Sequence, residues 1–182
     1  MEKDSTKFIY LHLFGSIQER IQLEEIESQV ELDFGRPVRE SQSTINPADF
    51  FDVRRQQYHS TALLKEMLSI LPSNAEKMLG IIEVDLFIPI LTFVFGEAQL
   101  NGPVGIVSTA RLRQEFYGLP PNNGLMHRRL IKEIKHELGH NYGLVHCSSR
   151  ECVMSAANNI SSVDAKGQTF CASCSDFLRA HV

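Results

Sequence analysis

The chain has no tryptophan, and its four cysteines are confined to the stretch between residues 147 and 174. A secreted fold stapled by disulfides spreads its cysteines through the chain, so this clustering favours a bound metal, with two disulfides as the competing reading. An excess of positive charge is also missing: 18 Lys and Arg against 22 Asp and Glu give a formal net charge of -4. Proteins that grip nucleic acid carry a basic patch or stripe, so nucleic acid is excluded as the expected partner. Long apolar runs are absent as well. Phe8 to Phe14 is only strand-length, follows Glu2 and Asp4, and has no small-residue cleavage site after it, while Met78 to Phe95 is interrupted by Glu83, Asp85 and Pro89. Neither serves as a leader or spans a bilayer, and a cytoplasmic protein with no membrane partner is expected.

What is present suffices for a core. At 182 residues and 43% hydrophobic, one globular domain over residues 1–182 is expected. Phe8 to Phe14 reads as a strand covered on both faces. A helix follows, with Ser16 and Glu19 as its capping box, Ile17, Ile21, Ile26 and Val30 on its apolar face, and Gly35 at its end. Pro37 to Ile45 reads as a polar strand and Asn46 to Tyr58 as loop. Ser60 is placed as the N-cap of a helix with Leu63, Leu64, Met67, Leu68 and Leu71 on one face, stopped by Pro72. Leu79 to Phe87, Thr92 to Phe95 and Val104 to Thr109 read as strands, the last introduced by Pro103 and so expected at an edge. Met126, Leu130, Ile131, Ile134 and Leu138 keep helical period up to His140, and beyond Gly143 the chain is expected to be irregular, with a short terminal helix.

The chemistry lies at the end of that third helix, in HELGHNYGLVHC from His136 to Cys147. His136 and His140 are four apart, so both imidazoles leave one face of the helix a turn apart, close enough to share a zinc ion. Glu137 is turned about 100° from the first ligand, which lets its carboxylate reach a water beside the metal without binding the metal itself. Gly143 ends the helix and allows a reversal that brings His146 to the same ion. Three ligands leave a fourth position for water, the arrangement of a catalytic zinc. His12, His59, His127 and His181 have no such company and read as ordinary.

Cys147 and Cys152 form one pair, Cys171 and Cys174 another, and the CASC spacing is that of a closed tetrahedral zinc site. Such a site has no vacancy and contributes folding free energy to a segment without hydrophobic periodicity. Arg150 and Lys166 are expected to offset its negative charge. Because Cys147 follows His146 directly, anchoring the cysteines should also fix the direction of the third histidine.

Together these residues resemble the archaemetzincins among the metzincin metallopeptidases, matching HExxHxxGxxHCxxxxCxM and the later CxxC at every fixed position. The resemblance is strongest from His136 to Cys174. It implies an α+β fold, with a mixed twisted sheet and its backing and active-site helices above a cleft (residues up to about 143). A small irregular zinc-stapled subdomain (about 144–182) lies below. It implies two zinc ions, one catalytic on His136, His140 and His146 and one structural on Cys147, Cys152, Cys171 and Cys174, with Glu137 as general base. It also places Met154 at the Met-turn beneath the catalytic metal. No tyrosine follows Met154, so a metal-binding or oxyanion-stabilising tyrosine is not available. The expected function is hydrolysis of peptide bonds, in the manner of a metalloendopeptidase or an aminopeptidase, on short peptides. Its rivals are a metzincin-fold zinc protein that binds peptide or protein without turnover, and a zinc-ribbon-like module.

Overall fold

Every residue of the first strand after Phe8 is buried, because that strand has a neighbour on each side and helices on each face. The computed structural model describes residues 6–182, and Glu2 and Asp4 lie outside them. In chain order the elements are β1 (Phe8–Leu13), α1 (Leu23–Phe34), β2 (Val38–Gln42), β3 (Phe51–Asp52), β4 (Gln57–His59), α2 (Ser60–Ser69), β5 (Ala75–Ile82), β6 (Leu86–Phe87), β7 (Gly96–Ala98), β8 (Val104–Ser108), α3 (Asn123–Asn141), α4 (Ile160–Ala165) and α5 (Ala172–His181). The main sheet has the order β2-β1-β5-β8-β7, and a smaller one the order β3-β4-β6. All neighbours in the main sheet are parallel except β7, which runs antiparallel to β8 at the edge. The architecture is the mixed α+β one that the sequence implied.

Alternation along the strands divides the core. Ile9, Leu11 and Leu13 pack with Leu79, Ile81 and Val107 against α1 and α3, whose Ile26, Val30, Leu130, Ile134 and Leu138 complete that side. Tyr10, Met78, Ile82 and Ile106 point the other way, onto Leu63, Leu64 and Met67 of α2. The same period of two explains why these strands read as continuous apolar runs. Val153, Met154, Val163 and Leu178 from the C-terminal stretch belong to the first of these clusters. Among the described residues no helix is long and apolar enough to cross a membrane.

Several expected boundaries shift. Ser16 makes no side-chain cap, and Ile17–Glu19 is a short 3-10 turn before α1, which ends at Gly35 with φ 58° as expected. His59, not Ser60, caps α2, its Nδ1 accepting from the Ala62 N–H at 3.3 Å. The stretch read as loop contains the β3–β4 hairpin, turned at Gln56 with φ 56°. Thr92 to Phe95 is no strand and holds a single bridge, Val94 to Leu86. Most consequential, β8 lies inside the sheet. Pro103 stands just before it, where a missing N–H costs nothing, and the Pro103 carbonyl accepts from the Met78 N–H at 2.7 Å. The edge is β7.

Candidate metal centre

The helix that carries the histidines is fixed at both ends. Asn122 accepts the Leu125 N–H at its start, while at its finish the Asn141 amide donates to the carbonyls of Gln99 (3.1 Å) and Val104 (2.8 Å). The His140 carbonyl accepts from the Asn101 N–H at 2.8 Å, so the end of α3 and the β7–β8 connection form one unit. Gly143 then takes φ 96°, a left-handed conformation costly for any side chain, and the Leu144 N–H returns to the Gly139 carbonyl at 2.9 Å. The expected reversal is present. It gathers His136, His140 and His146, each offering one ring nitrogen within 4.8 Å of the others.

The protonation of two of these rings is decided by their partners. His136 Nδ1 lies 2.9 Å from the Val153 carbonyl and His140 Nδ1 lies 2.7 Å from the Leu144 carbonyl. A carbonyl only accepts, so both Nδ1 atoms donate and both Nε2 atoms present lone pairs. Those two Nε2 atoms face each other at 3.1 Å. Two lone pairs at that distance repel unless a cation lies between them. Nitrogens on a tetrahedral zinc ion sit about 3.3 Å apart. The donors therefore fit the metal. Burial lowers the pKa of both rings below the ordinary histidine value, His136 the more so, which keeps them neutral and ready to ligate.

Glu137 is 5% exposed and wedged against Gly96 of β7: a Cβ at that glycine would lie 2.7 Å from its Cγ and Oε1. Burial, with help from Glu133, raises its pKa well above the usual carboxylate range, and Lys166 opposes the shift. Met154 is fully buried under the helix, where a Cβ at Gly139 would lie 2.5 Å from its sulfur. The glycine of HELGH is thus required by the methionine beneath it.

The histidines and Glu137 open onto a cleft of about 620 Å³. One wall is the edge strand with the lip from Ile88 to Phe95, and the other comprises Ala156, Ala157 and Asn158. The lip is apolar yet anchored: Arg55 donates to the Leu91 carbonyl at 2.6 Å, Gln57 donates to the Thr92 carbonyl at 3.0 Å, and the Arg111 guanidinium lies 4.0 Å from the Phe93 ring centre.

The four cysteines also converge, with their sulfurs within 4.8 Å of one another. Cys147 and Cys171 sulfurs are 3.8 Å apart, matching the roughly 3.8 Å edge of a tetrahedral zinc–thiolate site. Burial raises the Cys152 and Cys174 thiols, whereas a backbone N–H from Cys174 draws Cys171 down to about 7. Lys166, expected beside these sulfurs, pairs instead with Glu133 at 2.7 Å, both side chains under 5% exposed, and its Nζ comes 3.4 Å from His136 Nδ1. Arg150 is exposed and makes no ion pair among the described residues. The remaining histidines have local roles: His12 bonds Ser41, His127 bonds Glu25, and His181 stacks on Phe177.

Sequence reading missed Gly96 and Glu133, and gave Lys166 to the thiolates in place of Glu133. Glu133 was open to discovery, since it precedes Glu137 by one helical turn. Gly96 carries no local signal, because its need for glycine comes from a side chain forty-one positions away.

The profile described as Peptidase family M54 matches residues 6–180. The chain belongs to that family. It is 45% identical over 128 residues to the archaemetzincin of Methanocaldococcus jannaschii, covering 70% of this chain and 69% of that protein. With the archaemetzincin of Pyrococcus horikoshii it shares 40% over 138 residues, 72% of this chain and 73% of the other. Among solved structures, the archaemetzincin of Methanopyrus kandleri superposes with a TM-score of 0.85 at 31% identity, over 100% of this chain and 98% of its own. A zinc-dependent peptidase from Methanocorpusculum labreanum gives 0.78 at 28%, over 93% and 99%.

Proposed function

We propose that this chain is a zinc-dependent peptidase in which His136, His140 and His146 hold the catalytic zinc and Glu137 is the general base. Cys147, Cys152, Cys171 and Cys174 would hold a structural zinc. The observation that carries the reading is the pair of facing Nε2 lone pairs on the floor of a cleft, beside a buried carboxylate. Bound zinc would supply Lewis acidity, polarising a carbonyl and lowering the pKa of a bound water to about 7.

The protein's own groups do the rest. Glu137 takes the proton from the attacking water and returns it to the departing amine, the two halves of general acid–base catalysis. Its fixed position against Gly96 leaves it little conformational freedom to lose on the way to the transition state. Val153 and Leu144 hold the histidine rings in the ligating tautomer. The outer edge of β7, in place of the β8 edge that the sequence suggested, offers main-chain groups to an extended peptide. In this reading the whole chain works as one catalytic domain, residues up to about 143 above the cleft and about 144–182 below it. Met154 supports the metal from beneath.

Short peptides are the expected substrates, cut internally or at the amino end. A peptide library with products read by mass spectrometry separates these two modes. Cleavage that Glu137→Gln lowers by about 10²–10⁴-fold, with both zinc ions retained, supports the enzyme. No cleavage of any member by the fully metallated protein would leave a peptide-binding protein.

A further inference from the structure

Three carboxylates line the cleft, and two of them are already committed. Glu137 is placed as the base. Glu97 on β7 accepts from the hydroxyls of Ser60 (2.5 Å) and Thr61 (2.7 Å), which tie it to the start of α2. The third is Glu133, one helical turn before His136 and only 3% exposed. Its Oε1 is sealed from solvent and lies 2.7 Å from Lys166 Nζ. Its Oε2 makes no hydrogen bond among the described residues and is not sealed. Leaving a buried acceptor unpaired is costly, so that oxygen is open to a ligand. Lys166 stands off the cleft, behind the carboxylate, and fixes its direction through the other oxygen.

The surroundings define what could bind there. No lysine or arginine lines the cleft. Its lip is apolar, with Phe93 and Phe95 packed edge to face at 5.2 Å, and the facing Ala156 and Ala157 are small enough to leave width. A side chain suited to this space has a long apolar stem and a hydrogen-bond donor at its tip. Lysine and arginine have that build. Their tips also make charge-assisted bonds to a carboxylate, roughly twice as strong as neutral ones, whereas an acidic tip would meet only an acceptor.

We propose that Glu133 is a specificity-determining residue: its free oxygen recognises a lysine or arginine side chain of a peptide bound across the histidine cluster. The proposal rests on reading those histidines as the zinc site of a peptidase, and it names the substrate class of that site.

The test uses full-length protein carrying zinc at both sites, with two series of short peptide hydroxamates whose hydroxamate binds the metal at the histidines. The neighbouring side chain, on one side of the hydroxamate or the other, is lysine, arginine, norleucine or glutamate. Norleucine keeps the stem of lysine and lacks only the ammonium. Dissociation constants come from calorimetry, so turnover is not needed. In one series lysine and arginine should bind about 10- to 100-fold more tightly than norleucine, as expected of a hydrogen bond to a charged group, and glutamate should bind worst. A smaller preference in both series overturns the proposal, and so does a failure of every member to bind. Glu133→Leu with Lys166→Met removes both charges while keeping the space filled, and should bring the lysine-to-norleucine ratio to one or below; a preference that survives overturns the assignment to Glu133. Should that variant lose its circular dichroism, Glu133→Gln, which keeps the shape of the side chain, replaces it and is read the same way, with a fall of fivefold or more expected. Selective binding without cleavage of any library peptide would overturn the peptidase reading and leave the subsite standing, whereas cleavage without selectivity does the reverse.

Discussion

Replacing Gly96 by alanine should disable the base while leaving every metal ligand in place. The new Cβ would lie 2.7 Å from Glu137 Cγ and Oε1 and 2.8 Å from the Ile106 carbonyl oxygen. The carboxyl end can swing, but Ile106 is a fully buried residue of β8 in the body of the sheet, so β7 has to move outward. Overpacking of this kind costs about 1–3 kcal/mol. For a chain of this size that is a fall in Tm of roughly 2–12 °C. A displacement of about 1 Å at a positioned group costs about 10²-fold in rate. The assay is calorimetry and metal analysis beside initial rates on a peptide found in the library. Full turnover with an unchanged Tm would refute the reasoning, and so would loss of zinc from the histidine site, which the geometry does not anticipate.

Wild-type protein should contain two zinc ions per chain, His146→Ala and Cys171→Ser each losing a different one, as read by elemental analysis with cobalt spectra. Lys166→Met leaves the Glu133 carboxylate buried without its cation and should cost about 3–5 kcal/mol, most of which Glu133→Leu in the same chain restores in denaturant titrations. Burial lowers the pKa of His136 and His140 in the native state, so below about 6.5 the unfolded chain binds protons that the native chain does not. Stability of the metal-free protein therefore holds above that pH and declines as pH falls toward the depressed native values; a midpoint that rises on acidification would contradict this.

The metal-binding stretch was legible because each of its rules is local. Four-residue spacing, a glycine stop and adjacent cysteines act within one or two turns of chain, and the tertiary structure had only to leave them alone. The edge strand was not legible, since Gly96–Ala98 is three residues long and too short to show a period. Proline before Val104 pointed to an edge, but a proline ahead of a strand removes no ladder bond, and β8 could be internal. Ser16 and Glu19 matched a capping box, yet the chain there makes only a 3-10 turn, because Ile17 and Ile21 are already drawn into the core. Lys166 was assigned to the thiolates by charge alone, whereas burial gave it the carboxylate of Glu133.

Helix α3 does two jobs with one rod. Its Leu130, Ile134 and Leu138 lie at the centre of the hydrophobic interior, and His136, Glu137 and His140 are interleaved with them on the same nineteen residues. A shift of the ligands would drag that interior along, so the reactive geometry is as stiff as the fold. Side chains at the rims, Ile90 and Leu91 on the lip and the facing Ala156 to Asn158, are the ones whose replacement changes what is admitted without moving that rod.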